Sequence, residues 1–235
     1  MIAGERVLAV VPARGGSRGI PRKNIVPVGG KPLIAWTADA ALASSVVDRA
    51  ILSSEDAEIL EAGRAAGLDT PFVRPAELAR DDTPGIDPVL HALDVLEAEG
   101  DTFGWVVLLQ PTSPLRSAAD IDGAAQLCID RDAPAAVSVT AADKSPWWMF
   151  HLADGSRMEP LFDPDTRPHR RQDAPPVFVL NGAVYVARVS WLRRSRSFLT
   201  DETVGYVMPR ERSVDVDEPA DLHVVEALLA ERSGD

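Results

Sequence analysis

Short, nearly continuous apolar runs alternate along most of this chain with longer stretches whose apolar residues recur at helical spacing. Residues 7–11, 49–53, 72–73, 105–109 and 135–140 read as strands, and the unbroken apolar run 105–109 is of the kind buried on both faces of a sheet. Residues 33–43, 56–66, 86–99 and 118–130 read as helices, the second closed by Gly67. Strands alternating with helices in this rhythm predict an α/β fold: a doubly wound, mostly parallel, Rossmann-like sheet. The rhythm stops near Ala142. From there to Val177 come six prolines, the cluster Trp147-Trp148-Met149-Phe150 and the basic residues Arg167, His169, Arg170 and Arg171. That density of proline is foreign to a central strand, so residues 143–176 read as an arm inserted into an otherwise single domain, 1–235. Its aromatics suit an interface; the other reading is a minor core tucked under a long loop. Strand character returns at 182–187 and 204–208, and 219–231 reads as a last helix with proline in its first turn.

Composition narrows the field. A chain of 235 residues with 46% hydrophobic content can bury a substantial core as one domain. Its formal net charge of -12 opposes non-specific binding to nucleic acid or to an anionic membrane. A lone cysteine, Cys128, in an apolar helical pattern excludes an intrachain disulfide and a cysteine-rich zinc site. No apolar run is long enough for a spanning helix and no export signal is visible, so a cytoplasmic location is expected.

Against that acidic background, no Asp or Glu occurs between Glu5 and Asp39. The loop after the first strand carries Arg14, Arg18, Arg22, Lys23 and Lys31, with glycines at 15, 16, 19, 29 and 30. Glycines let backbone N–H groups approach an anion, and the cations neutralise it, so the stretch reads as a polyphosphate cradle at the carboxyl end of a strand. A solvated basic loop is the commoner fate of a charge run. The buried-type strand directly before it, and the stiffening Pro21, Pro27 and Pro32, count against that reading. A Walker A loop is excluded because Gly30-Lys31 is followed by Pro32. A dinucleotide fingerprint is excluded because Pro21 stands where its last glycine would open a helix, and no Tyr-x-x-x-Lys pair follows.

The string A-R-G-G-S-R-G-I-P-R-K-N, residues 13–24, closely resembles the signature of the CMP-sialic acid synthetases, the acylneuraminate cytidylyltransferase family. The resemblance recurs at L-L-Q-P-T-S-P-L-R (108–116), at L-N-G-A-V-Y (180–185) and at S-V-D-V-D (213–217). It implies a nucleotidyltransferase-type fold whose arm helps form a homodimer. It also implies CTP and a nine-carbon acid sugar as substrates. Nucleotide contacts would come from Ala13, Arg14, Gly15, Gly16, Ser17, Lys23, Asn24, Arg74, Thr83 and Gly85, and sugar contacts from Gln110, Trp148, Arg171 and Asn181. Read without the family, Asn181-Gly182 is simply a turn, and Ser113 and Arg116 are scaffold that caps the following helix.

Asp215 and Asp217 stand two apart on an expected strand, hence on one face, within reach of a single hard cation such as Mg²⁺. Such a pair alone usually means a solvated strand end; beside a polyphosphate cradle it becomes the complement of one. Arg14 and Lys23 would stabilise charge at the α-phosphate and on departing pyrophosphate. The reading is therefore CTP-dependent activation of a nonulosonic acid. The alternatives are a related transferase for another acid sugar or nucleotide, and a silent nucleotide-binding domain. The joint presence of Arg14, Lys23, Gln110, Asp215 and Asp217 speaks against silence. Gly85 stands where relatives often have serine, and Trp148 where some have lysine. Gly85 offers the base backbone groups but no hydroxyl, which bears on base selectivity, while the flat apolar surface of Trp148 favours a legionaminic- or pseudaminic-type sugar over N-acetylneuraminate.

Overall fold

The computed structural model describes residues 1–17 and 19–233, apart from the side chains of Arg171 and Ser233. In chain order the elements are β1 (Val7–Pro12), the two-residue strands β2 (Pro27–Val28) and β3 (Lys31–Pro32), α1 (Leu33–Leu42), β4 (Arg49–Ser53), α2 (Ala57–Ala65) and α3 (Asp87–Ala98). They continue with β5 (Trp105–Leu108), α4 (Ala118–Asp130), β6 (Ala135–Ala141), β7 (Phe150–Ala153), β8 (Arg157–Pro160), β9 (Phe178–Arg188), α5 (Val189–Ser195), β10 (Thr203–Val207) and α6 (Pro219–Ser233). The expected doubly wound sheet is present, with strand order β10-β6-β9-β5-β1-β4. Only β9 runs antiparallel to its neighbours, β5 and β6. The reason lies in the arm. A helical crossover brings the chain back to the same end of the sheet, whereas β6 and β9 form one long hairpin whose connection is the arm.

Alternation along the strands divides the core. Val7, Ala9 and Val11 face α1, α2 and α4, while Leu8 and Val10 face α3 and α5. The apolar rows on both faces explain why the central strands were legible. A third cluster joins Ile20, Val28 and Leu33 to Leu115, Val216 and, from α6, Val225 and Leu229. It anchors the basic loop from below, which is why this charge run is not merely solvated. Cys128 is buried in the first of these cores, where burial pushes its thiol up to about 12.

Three expectations need correction. Residues 72–73 form no strand: Asp69 bridges Ile51, and the chain then leaves the sheet through Pro71. Helix α4 is capped not by Ser113 or Arg116 but by Ser117 and Asp120 in a reciprocal capping box. Asn181-Gly182 is not a turn but an irregularity inside β9, where Gly182 takes φ +71. The arm itself contains the hairpin β7–β8, turning through Asp154 and Gly155, both at positive φ. Within it Trp147 packs on Phe162 at 5.9 Å, Trp148 and Phe150 are half-buried, and Met149 is exposed. Among the described residues no helix is long and apolar enough to cross a membrane.

The Asp120 carboxyl is fully buried, and burial alone would raise its pKa. It is nevertheless held below the ordinary carboxylate range, because Arg212 donates to it at 2.9 and 2.8 Å and Ser117 adds N–H and O–H donors. A depressed carboxylate contributes stability above its unfolded pKa of about 3.8 and loses it as pH falls through the lower native value. Asp120→Asn is thus expected to lose roughly 3 kcal/mol of stability at pH 7. Denaturant titrations across pH should show the gap closing well below 3.8; a gap that persists there would refute the linkage.

Candidate functional site

The cleft lies at the carboxyl ends of β1 and β5 and has a volume of about 600 Å³, within the range of small-molecule sites. One wall is the basic loop. After β1 the chain cannot continue as strand, because Gly15 and Gly16 release it and Pro21 stops any helix. Two carboxylates then hold the loop in shape. Glu55 accepts from the Gly15 N–H at 2.7 Å and from Arg74 at 2.7 Å. Asp56 caps α2 through the N–H groups of Glu58 and Ile59 and accepts from Arg22 at 2.7 Å. Gly15 has to be glycine, since a Cβ there would stand 2.6 Å from Asp56 Oδ2. Gly16 faces open space, so its N–H is approachable. Asn24 is buried and donates to the Arg14 carbonyl at 2.9 Å, fixing the backbone from which Arg14 projects.

Of the nucleotide residues expected from sequence, Arg14, Gly16, Ser17, Lys23, Asn24, Arg74, Thr83 and Gly85 line the cleft. Ala13 and Gly15 form its support rather than its lining, Ala13 being buried behind the loop. Arg14 pairs with Asp81 at 2.6 Å, and Lys23 with Asp217 at 3.0 Å. Arg74 is 4% exposed, its Nε lacks a hydrogen-bond partner among the described residues, and it lies beside the apolar stretch made by Leu78, Pro88 and Leu108. Arg18 and the Arg171 side chain lie outside the described residues. His91 packs edge-on against Phe72 at 4.9 Å, its pKa lowered chiefly by burial, and takes no part in the cleft.

The opposite wall follows β5. Gln110 and Thr112 line it, on a turn held from behind by Arg116. Asp215 and Asp217 lie on no regular strand. Their segment crosses the turn in extended form, Val216 donating to the Thr112 carbonyl at 2.8 Å. The expected alternation survives all the same, with Val216 buried and both aspartates outward. Gly182 brings the parts together, since a Cβ on it would stand 2.9 Å from Gln110 Oε1 and 3.6 Å from Asp215 Oδ2. Asn181 is buried, with Ser138 donating to it at 2.6 Å and its own amide donating to Ser213 at 2.9 Å. It braces β6, β9 and the aspartate segment from behind and does not line the cleft; Trp148, in the arm, does not line it either. Thr112, Asp81, Arg80 and Glu218 are lining residues that the sequence reading did not single out. The turn of 110–116 pointed to Thr112, but nothing local marked the other three.

Although Asp215 as a residue is exposed, its carboxyl is crowded by neighbours and is held above the ordinary carboxylate range. Desolvation is the main cause; the charges of Asp217 and Asp221 add to it, against a Thr112 hydrogen bond and the charge of Lys23. A divalent cation would relieve this excess of negative charge, and Asp215 and Asp217 are the residues that would hold it. Among the described residues no group of three or more His, Cys, Asp or Glu could hold a metal ion. Any cation here would therefore draw on the substrate for ligands.

Open α/β sheets bind their ligands at these strand ends, and here that position is occupied by the glycine-rich basic loop. Fold and site together define a protein of the nucleotidyltransferase class. Residues 8–183 match the family described as cytidylyltransferase, and the chain belongs to that family. It is 31% identical to the CMP-N,N'-diacetyllegionaminic acid synthase of Legionella pneumophila over 95% of this chain and 96% of that one. It is 32% identical to the pseudaminic acid cytidylyltransferase of Campylobacter jejuni, over 94% and 95%. Against the N-acylneuraminate cytidylyltransferase of Streptococcus agalactiae it is 34% identical, over 94% of this chain and 53% of that one. In fold it is similar to a CMP:2-keto-3-deoxy-manno-octonic acid synthetase complexed with CTP, with a TM-score of 0.72 at 20% identity over 97% and 99% of the two chains.

A carboxyl raised in the native state weakens the fold as pH climbs through its unfolded and then its native pKa, with the full effect at neutrality. Asp215→Asn is therefore expected to raise the melting temperature at pH 7 and leave it unchanged near pH 3, as read by calorimetry. A lower melting temperature at pH 7 would show that the charge is compensated.

Proposed function

We propose that this chain transfers the cytidylyl group of CTP to the anomeric hydroxyl of a nonulosonic acid, releasing pyrophosphate. The observation that carries the reading is one cleft, in a chain of this family, that holds Arg14 and Lys23 on one wall and Gln110 and Asp217 on the other. The base would rest on the apolar stretch near Arg74, Thr83 and Gly85. Arg14, Lys23 and the N–H groups around Gly16 and Ser17 would hold the phosphates and meet the charge that develops on pyrophosphate. Gln110 would fix the sugar beside Asp215. The sugar hydroxyl attacks the α-phosphorus in line, its proton passing to solvent, and the bond to pyrophosphate breaks as the new one forms. No covalent enzyme intermediate is needed. Mg²⁺, held by Asp215 and Asp217, would neutralise phosphate charge. CTP and the acid sugar suit the cytoplasmic location expected from sequence.

The identity of the sugar is the finer part of the proposal. Identities of 31, 32 and 34% to relatives named for three different sugars do not separate them. The departure at Trp148 does point one way, since a flat apolar surface suits acetamido and deoxy groups better than extra hydroxyls; Gly85, without a hydroxyl for the base, bears on nucleotide selectivity instead. A legionaminic- or pseudaminic-type acid is the preferred substrate. One group in a pocket is worth about 1–3 kcal/mol, so the preference is graded. Pyrophosphate release over four nucleoside triphosphates and several nonulosonic acids is expected to be highest with CTP and such a sugar. Activity confined to N-acetylneuraminate, and unchanged in Trp148→Lys, would sink the sugar assignment. In the same assay Lys23→Ala is expected to lose roughly 2–4 kcal/mol of transition-state stabilisation, a fall of about thirtyfold to nearly a thousandfold, with the fold intact.

The arm supports a homodimer. Leu152 and Met158 on its hairpin are 63% and 58% exposed, and Phe178 and Val179 on β9 are 50% exposed each. That first part of β9 pairs with β6 only, because β5 meets β9 at 185–188. An apolar face bordered by an open strand edge is the kind of surface a second copy covers. No described arm residue from 143 to 176 lines the cleft of its own chain, so Trp148 and Arg171 would act on sugar held by the partner. Sedimentation at micromolar concentration is expected to give a dimer mass, and a monomer mass there would exclude this assembly.

A further inference from the structure

The cation on which the proposed chemistry leans hardest already has a partner. Lys23 Nζ donates to the Val216 carbonyl at 2.8 Å and to Asp217 Oδ1 at 3.0 Å. Two of its three N–H donors are taken, and the carboxylate cancels much of its charge. A phosphate that needs this ammonium must compete with Asp217. The two partners of the pair differ sharply in freedom: the Lys23 side chain is 15% exposed and that of Asp217 is 72% exposed. Lysine is held; aspartate can swing.

The backbone around Asp217 is fixed, so the exchange is confined to its side chain. Its N–H donates to Asp221 at 2.8 Å, and Val216 just before it is buried and bonded to Thr112. On the other side Gly19 presses on the Asp217 carbonyl so closely that an added Cβ would collide with it. Turning the carboxylate away leaves Nζ on the Val216 carbonyl, still aimed by its second contact but with its charge uncovered.

We propose that Asp217 is a positioning residue for Lys23, and that the two couple divalent-cation binding to nucleotide binding. This rests on the reading of the site as a CTP site. Without a cation the carboxylate holds the ammonium and weakens its grip on phosphate. A cation drawn to Asp215 and Asp217 removes that competitor, and Lys23 passes to the triphosphate. Asp215 feels the charge of Lys23 but makes no hydrogen bond to it among those described, so it is the matched control.

The test is the affinity for CTP by equilibrium dialysis, in excess chelator and again in Mg²⁺, on the full-length chain. Asp217→Asn is expected to bind CTP roughly two- to fivefold more tightly than wild type in chelator, the range of a partly exposed ion pair. The gain should vanish in Lys23→Gln/Asp217→Asn compared with Lys23→Gln alone, and Asp215→Asn should show a smaller gain. Asp217→Asn should also lose most of the tightening that Mg²⁺ gives the wild type. Asp217 is on the surface, so its replacement spares the core; a matching circular dichroism spectrum and melting temperature confirm this. No gain in Asp217→Asn overturns the proposal. So does an equal gain in Asp215→Asn or in the Lys23→Gln background, either of which reports only the general field of the acids. Failure of the wild type to bind CTP even with Mg²⁺ would overturn the nucleotide reading itself, which the pyrophosphate assay tests separately.

Discussion

A loop crowded with cations and lacking any acid of its own has to keep its shape without help from within. Here the help comes from the next strand-to-helix junction. Glu55 ties the Gly15 N–H to Arg74, and Asp56 ties Arg22 to the start of α2. Each acid therefore does two jobs. It offsets repulsion among neighbouring cations, and it fixes the backbone behind the cleft. Preorganisation of this kind is what gives an anion site its strength, because the donors need not be gathered when the charge arrives. The arrangement also explains Gly15: any side chain there would displace the carboxylate that stabilises the loop.

The facing wall rests on a different device. Arg116 is buried, and its guanidinium donates to the carbonyls of Gln110 at 3.2 Å and Ala183 at 2.7 Å and to the Thr37 hydroxyl. Burial pulls its pKa down to about 9, with the charge of Asp120 opposing the fall, and it stays charged at neutral pH. One cation thus joins the end of β5, the irregular point of β9 and helix α1. The cleft is held by acids under its basic wall and by a base under its polar wall. Neither kind of support touches the ligand space, yet both decide where Gln110 and Arg14 stand.

Sequence alone reached the sheet and its helices because their apolar rows follow periods of two and of 3.6. It reached the basic loop that lines the cleft because Arg14, Gly15, Gly16 and Lys23 sit together in one short, chemically unusual string. Other features were present but overlooked. Asp154-Gly155 is a hairpin signal, and Ser117-x-x-Asp120 is a capping box. Overshadowed by prolines and by the adjoining motif, neither was read. Phe72-Val73 misled because two apolar residues suffice for a strand only where a neighbour offers pairing, and Pro71 takes the chain away. The roles of Glu55, Asp81 and Asn181 were out of reach, since each depends on a partner far away in sequence. Asn181 shows the limit well: local chemistry suggested a turn, and only the approach of Ser138 and Ser213 makes it a buried brace.

The site draws its two walls from segments far apart in the chain. Lys23 meets Val216 and Asp217 across 193 and 194 positions, and Gly19 packs on the same segment. Synthesis therefore delivers the basic loop long before the aspartates that face it. The sheet between them cannot close early either, because β9 must insert between β5 and β6 after the arm has been made. A growing chain of this design therefore exposes a strongly basic loop well before the cleft can form. Glu55 and Asp56, emitted soon after that loop, are the first groups able to shield it.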